Sequence, residues 1–368
     1  VKFAILGSRG FPSTYGGYET LVRYLARYMV EDGHDVTVYC RTKEEGRRRW
    51  ITEDVTCIAT PGTDTKSLST LSFGLTSCVD ASVRGYDAAL VLNIANGFWL
   101  PLLRARGIPT ALNTDGLEWE RGKWGGVAKS VFRLGARLSA QHATTLVADS
   151  EEMGRIWQER FGVASRFIPY GAPVLDAVGT DKLEHLKLEP ESYVLVVARL
   201  IPENNVDLAL DAILRMSPRP RTVIVGSANF DSPLEARLRA LEREPWLDWL
   251  GHVSDQDLLM QLWAHCGAYV HGHSVGGTNP ALLQALGAGA PTLALDTNFN
   301  AEVLRDSAAL YPRDPDALAG KIGELLSSKD ARDVSRQRGR DTVAARYQWS
   351  DVCASYVAAL TELATSRC

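Results

Sequence analysis

The sequence predicts an α/β protein made of two doubly wound, parallel-sheet domains in series. Three observations predict it. Short apolar runs alternate with segments of helical period along nearly the whole chain. Within those runs the apolar residues are consecutive rather than alternating, as in strands covered on both faces. The rhythm breaks once, at the polar stretch Gly171–Ser192, and then starts again. A length of 368 residues suits that division, since domains run to roughly 100–200 residues each. The expected boundaries are 1–171 and 172–347, with 348–368 a closing helix that packs back toward the first domain.

In the first domain Val1–Gly7 is the opening strand, followed by a helix over Glu19–Glu31 with Leu21, Tyr24, Leu25 and Tyr28 on one face. Further strands are expected at Val36–Cys40, Val55–Thr60, Ala88–Asn93, Thr110–Asn113 and Thr145–Ala148. In the second domain strands are expected at Tyr193–Ala198, Thr222–Val225, Trp246–Leu250, Ala268–His271 and Pro291–Leu295. Helices between and after them are expected at Val206–Met216, Pro233–Glu242, Asp255–Ala264, Pro280–Gly287, Asp316–Ser327 and Asp330–Tyr347, with Trp349–Thr365 last. In sheets of this kind ligands gather beyond the carboxyl ends of the strands, and a cleft between two such domains is the expected place for one.

Composition narrows the function classes. The net charge is −4 and aromatics make up 8%, which argues against a disordered chain and a nucleic-acid binder driven by bulk charge. Through Gly171 there are 21 Lys/Arg against 18 Asp/Glu, and beyond it 19 against 26. The basic bias of the first half permits an anionic surface as partner. Six scattered cysteines show neither a CxxC pair nor metal-ligand spacing. With no signal peptide and no apolar stretch of about 20 residues, a cytoplasmic, reduced protein is expected.

Two turns carry the chemistry. After the first strand, Gly16 and Gly17 precede a helix, where bare backbone lets an anion approach unpaired N–H groups. The turn is neither GxGxxG nor a Walker A loop, and an ordinary surface loop is the alternative. In the second domain Arg199 follows a strand directly, and its planar fork suits a diphosphate; an arginine in a structural ion pair is the alternative. Further on, Gly276, Gly277, Thr278 and Asn279 form a second helix N-terminus open to an anion, with Gln284 inside the helix able to turn back toward it. His271 and His273 are taken to face opposite ways, and without a third ligand nearby zinc is not expected.

The order of these segments resembles the retaining glycosyltransferases of family 4, which have the GT-B architecture. The resemblance rests on the Gly-Gly turn, Asp149-Ser150, Ile168-Pro169-Tyr170-Gly171, Ala198-Arg199-Leu200, Leu250-Gly251-His252-Val253 and the segment from Gly276 to Pro291. The variants ARLIPENN, HGHSVGGTNP, NTDGLEW and IPYGAP are similar to a bacterial rhamnosyltransferase-like subgroup. The resemblance implies a nucleoside-diphosphate sugar as co-substrate, a hydroxyl acceptor and no other cofactor. It places the base near Gly251, His252 and Val253, and a sugar contact at Asp115. Two departures stand out. Asn204 occupies the position where the family has a diphosphate-gripping lysine. The E-x7-E motif falls on Gly276 and Gln284, so neither carboxylate is present. Gln284 retains both donor and acceptor for a ribose, and His273 becomes a candidate neighbour of the sugar.

Breaking a sugar–phosphate bond leaves charge on the departing diphosphate, and preorganised donors stabilise it best. Arg199, the 276–280 turn and the Gly16-Gly17 turn are assigned that task. The acceptor hydroxyl is expected to attack from the face the leaving group departs, giving retention. Asp115 either hydrogen-bonds a sugar hydroxyl or caps a turn with Gly116, and Glu118 is the alternative acceptor contact. The triplets Asp255-Gln256-Asp257 and Asp314-Pro315-Asp316 precede helices, so capping explains them better than a metal. The segment 122–140 places Lys123, Lys129, Arg133 and Arg137 among Trp124, Val127, Val131, Phe132 and Leu134. It either rests on anionic lipid or covers the sheet. Arg47-Arg48-Arg49-Trp50 is expected to be a solvated loop. Two other classes remain: a binding protein of weak activity on the same scaffold, and a nucleotide-cofactor oxidoreductase, disfavoured by the absence of GxGxxG.

Overall fold

The computed structural model describes residues 1–12, 16–42, 48–63, 69–114, 116–120, 125–228 and 232–366. The chain forms two compact units, Val1–Tyr170 with Trp349–Cys368, and Gly171–Gln348.

The first unit runs β1 (Lys2–Leu6), α1 (Gly17–Glu31), β2 (Asp35–Thr42), β3 (Arg48–Thr52), β4 (Val55–Pro61), α2 (Ser69–Ala81) and β5 (Ala88–Leu92). It continues with α3 (Leu100–Ala105), β6 (Thr110–Asn113), α4 (Gly126–His142), β7 (Thr145–Ala148), α5 (Glu151–Phe161) and β8 (Ser165–Phe167). The sheet order is β3-β4-β2-β1-β5-β6-β7-β8. In β1, Phe3 through Leu6 are at most 1% exposed, which is why the run is apolar at every position rather than at every other one. Helix α5 shows how local chemistry sets helix bounds. The Ser150 side chain accepts from Met153 N at 3.0 Å, and Gly162 ends the helix in the left-handed region.

The tract expected to be a solvated loop is different. Arg47 lies outside the described residues, but Arg48–Thr52 is the edge strand β3, antiparallel to β4. Glu53 and Asp54 both take positive φ, 52° and 58°, and join the two strands as a two-residue hairpin. Such a turn normally announces itself as Asn-Gly, so Glu-Asp hid it.

The second unit runs α6 (Asp181–His185), β9 (Tyr193–Val197), α7 (Val206–Arg215), β10 (Arg221–Val225), α8 (Pro233–Ala240) and β11 (Leu247–Gly251). It continues with α9 (Gln256–His265), β12 (Ala268–His271), α10 (Pro280–Ala288), β13 (Thr292–Leu295), α11 (Asn298–Leu304), β14 (Leu310–Tyr311), α12 (Pro315–Ser327) and α13 (Lys329–Arg346). All six strands are parallel, in the order β11-β10-β9-β12-β13-β14. Two apolar layers sandwich the sheet. Val194 and Val196 pack with α7 and α12 on one side, and Tyr193 and Leu195 pack with α9 and α10 on the other. The order reverses between β9 and β12, which is the switch point where doubly wound sheets bind ligands.

The last helix, α14 (Trp349–Thr365), belongs to the first unit. Trp349 stacks on Tyr24 of α1 at 4.4 Å, and the buried Tyr356 hydroxyl accepts from Asn113 Nδ2 at 2.7 Å.

Candidate functional site

The two segments that leave β9 and β12 flank the switch point, and the structure ties them together. Arg199 lies two residues beyond β9. Its side chain is exposed and makes no hydrogen bond or ion pair to any described residue. Its backbone, by contrast, is braced: Asn204 Nδ2 donates to the Arg199 carbonyl at 2.9 Å, and Asn204 is 4% exposed. The Asn204 amide therefore holds the loop that carries Arg199.

Asn205, which the sequence did not single out, joins the two segments. It sits in the left-handed region at φ 49°, a conformation asparagine tolerates better than most residues. Its Nδ2 donates to the Gly272 carbonyl at 2.7 Å, and its Oδ1 accepts from Arg313 Nη1 at 2.6 Å. Ser274 reinforces the seam, donating from both N and Oγ to the Glu203 carbonyl at 2.9 Å each. Gly272 must be glycine here, because an added Cβ would overlap the Asn204 carbonyl oxygen. Buried Asn300 closes the far side, its Nδ2 donating to the carbonyls of His273 at 3.0 Å and Leu295 at 2.8 Å. The loop beyond β12 is thus held by side chains from two other segments, Asn205 and Asn300, before any ligand arrives.

Helix α10 begins at the end of that loop with a full set of local signals. Asn279 accepts from Ala281 N at 2.9 Å, Pro280 takes the first helical position, and Gly289 ends the helix at φ 79°. Asn279 therefore acts as the cap. Gly276 has φ 122°, and an added Cβ there would meet nothing, so the turn is open on that side. Gly277 lies beside it, half-buried, and Thr278 is buried. Gln284 is half-buried one turn into α10 and has no hydrogen-bond partner among the described residues.

The histidines correct an expectation. His271 and His273 do not face opposite ways; their rings stack at 4.3 Å and 13°. Residues two apart along an extended chain share a face. Tyr269 reaches His271 Nδ1 at 3.0 Å, while His271 Nε2 is buried with no partner among the described residues. Burial, and then the neighbouring His273, hold the His271 ring well below its usual pKa, so it is neutral.

The remaining candidates are distributed. Gly251 ends β11 at φ 63°, its carbonyl accepting from Gly226 N at 2.7 Å. His252 is exposed beyond it, and Val253 packs on the core beside Leu250. In the first unit Gly16 precedes α1 at φ 114° and Gly17 begins it. Glu19 of the same turn is 7% exposed, and its carboxylate accepts from Arg9 N at 3.1 Å. That helix start already faces a carboxylate of its own. Asp115 lies outside the described residues; Glu118 opens a short 3-10 turn, Glu118–Glu120. Asp255 caps α9, accepting from Asp257 N and Leu258 N, and Asp314 caps α12, accepting from Ala317 N.

Comparison with known proteins now bears on this geometry. Residues 179–342 match the family model described as glycosyl transferases group 1, and residues 16–171 match the glycosyl transferase 4-like domain. Each of the two units thus resembles one glycosyltransferase domain family. The chain is 26% identical over 175 residues to O-antigen chain mannosyltransferase B of Escherichia coli. That match spans 46% of this chain and 45% of the relative, less than half of either. Its fold is GT-B. It superposes on sucrose-phosphate synthase of Thermosynechococcus elongatus with a TM-score of 0.83 at 16% identity, covering 99% of both chains. It superposes on Anabaena HepE, solved with UDP-glucose, at 0.76 and 15% identity, covering 98% of this chain and 99% of that one.

Proposed function

We propose that this protein is a glycosyltransferase that moves a sugar, with retention and without a metal, from a nucleoside-diphosphate donor to a hydroxyl acceptor. One observation carries the reading. The guanidinium of Arg199, exposed and without a partner among the described residues, and the open Gly276–Asn279 turn leave the two strands on either side of the switch point, and Asn205 and Ser274 lock their loops together. That arrangement is a preorganised set of donors for a diphosphate.

In the reaction the bond between the anomeric carbon and the phosphate oxygen breaks, and its electron pair stays on the phosphate. Arg199 and the backbone N–H groups at the start of α10 stabilise the new charge. The acceptor hydroxyl attacks from the same face and gives its proton to the departing phosphate oxygen, which accounts for retention. Gln284 is assigned to the ribose, Gly251, His252 and Val253 to the base, and His273 to the sugar. Asp115 is assigned to a hydroxyl of the transferred sugar, Glu118 to the acceptor, and the Gly16-Gly17 turn to the donor diphosphate. Asn204 and Asn279 contribute by holding their loops. A rhamnosyl donor and a cytoplasmic site of action complete the reading; the latter is supported by the five buried free thiols among the described residues.

Incubation with a panel of nucleotide sugars, uridine diphosphate sugars first because HepE was solved with one, tests this. Release of one nucleoside diphosphate together with an α-configured product from an α-linked donor is expected. Tight donor binding with no release under any acceptor would instead make the chain a nucleotide-sugar-binding protein.

A further inference from the structure

The exposed large apolar side chains are not scattered evenly. Of the eleven among the described residues, six lie on or just beyond three neighbouring helices: Leu75 and Val79 on α2, Val83 just past it, Leu102 on α3, and Val127 and Leu134 on α4. Val127 is 83% exposed, Val83 64% and Leu134 47%. The helices form one layer, α2 packing on α3 and α3 on α4, with Arg104 of α3 donating to the Gln141 carbonyl of α4 at 3.4 Å. Val127 and Leu134 are a heptad apart and share a side of α4.

The exposed charges on these three helices are of one sign. Arg104, Arg106, Arg133 and Arg137 are exposed, and Lys129 is half-buried. Neither α3 nor α4 contains an acidic residue. The one on α2, Asp80, is fully buried, paired with Arg84 at 2.5 Å and accepting from the Tyr39 hydroxyl at 3.0 Å. The layer therefore shows solvent separated aliphatic groups set among guanidinium groups, with no exposed carboxylate on these three helices.

We propose that the α2–α3–α4 face is a reversible docking surface for an anionic lipid bilayer. A second copy of the chain does not suit it, because an isologous contact would set the same cations against each other. An anionic bilayer does: the aliphatic side chains enter the headgroup–acyl boundary while the arginines meet lipid phosphates from their flexible stems. The surface is built by residues that take no part in the donor site, so its test does not depend on the transfer reaction.

Flotation of the full chain with vesicles of equal phosphatidylglycerol and phosphatidylcholine reads it directly. Binding is expected at low salt, weakened as salt is raised, and absent with pure phosphatidylcholine. Each basic residue near such a surface is worth about fivefold in affinity, so Arg133→Ser with Arg137→Ser is expected to lose about 25-fold. Val127→Ser with Leu134→Ser is expected to weaken binding to the same vesicles. Arg338→Ser, on the exposed side of α13, is expected to change nothing. All substituted side chains are exposed, and circular dichroism verifies that the fold persists. Equal binding to both vesicle types, no binding at low salt, or undiminished binding by the arginine pair overturns the proposal. So does a concentration-dependent dimer that the same substitutions abolish.

Discussion

Replacing Arg199 by glutamine separates a ligand-binding group from a structural one. The guanidinium makes no hydrogen bond or ion pair with a described residue, while the backbone around it is held by the Asn204 amide at 2.9 Å. The substitution therefore removes no bond that supports the fold, and stability is expected to stay within about 0.5 kcal/mol of wild type. If the side chain stabilises the departing diphosphate, losing one preorganised charged donor costs about 2.7–4 kcal/mol of transition-state stabilisation, or roughly 10²–10³ in rate. Lysine at the same position keeps the charge but not the fork, and is expected to recover part of the loss. The assay is release of nucleoside diphosphate under saturating donor, with thermal unfolding measured on the same samples. Asn204→Ala is the contrasting variant. It removes the side-chain bond to the Arg199 carbonyl, which still accepts from Ile201 N at 2.9 Å, and is expected to lower stability by about 0.5–1.5 kcal/mol. Turnover of Arg199→Gln within threefold of wild type would refute the assignment of the leaving-group charge to this residue.

Other consequences can be measured as readily. Asn279→Asp keeps the cap on α10 but adds a negative charge at the anion turn; the donor KM is expected to rise about tenfold with unfolding unchanged. An unchanged KM would move the diphosphate away from α10. Gly272→Ala drives a Cβ against the Asn204 carbonyl oxygen and pries apart the loops after β9 and β12. A loss of about 1–3 kcal/mol is expected, read by the urea midpoint, together with a fall in turnover. His271 is neutral because burial lowers its pKa. Its contribution to stability is whole above the ordinary histidine pKa of about 6.5 and is lost as pH falls through it, by up to about 1.4 kcal/mol per pH unit. The melting temperature of wild type is therefore expected to fall more steeply between pH 6.5 and 5.5 than that of His271→Phe. Parallel curves would place the acid sensitivity elsewhere.

Much of this molecule was legible before folding because it is set by near neighbours in the chain. Consecutive apolar residues such as Phe3–Leu6 and Tyr193–Val196 marked strands covered on both faces. Asn279-Pro280 before α10, and Asp255 and Asp314 before α9 and α12, marked helix starts, since a cap satisfies N–H groups two or three residues on. Arg199 and the glycine turn could be singled out as candidate anion donors for the same reason: each follows a strand and needs only its own residue type. What the chain could not announce depends on partners far along it. Asn205 gained its role from Gly272, 67 residues away, and from Arg313, 108 away. Gly272 is required by a carbonyl that only the folded sheet brings near. Edge strand β3 exists because β4 lies beside it to pair with. Local propensity chose the elements, and packing across the switch point decided which backbone groups would be locked and which side chains left free to meet a ligand.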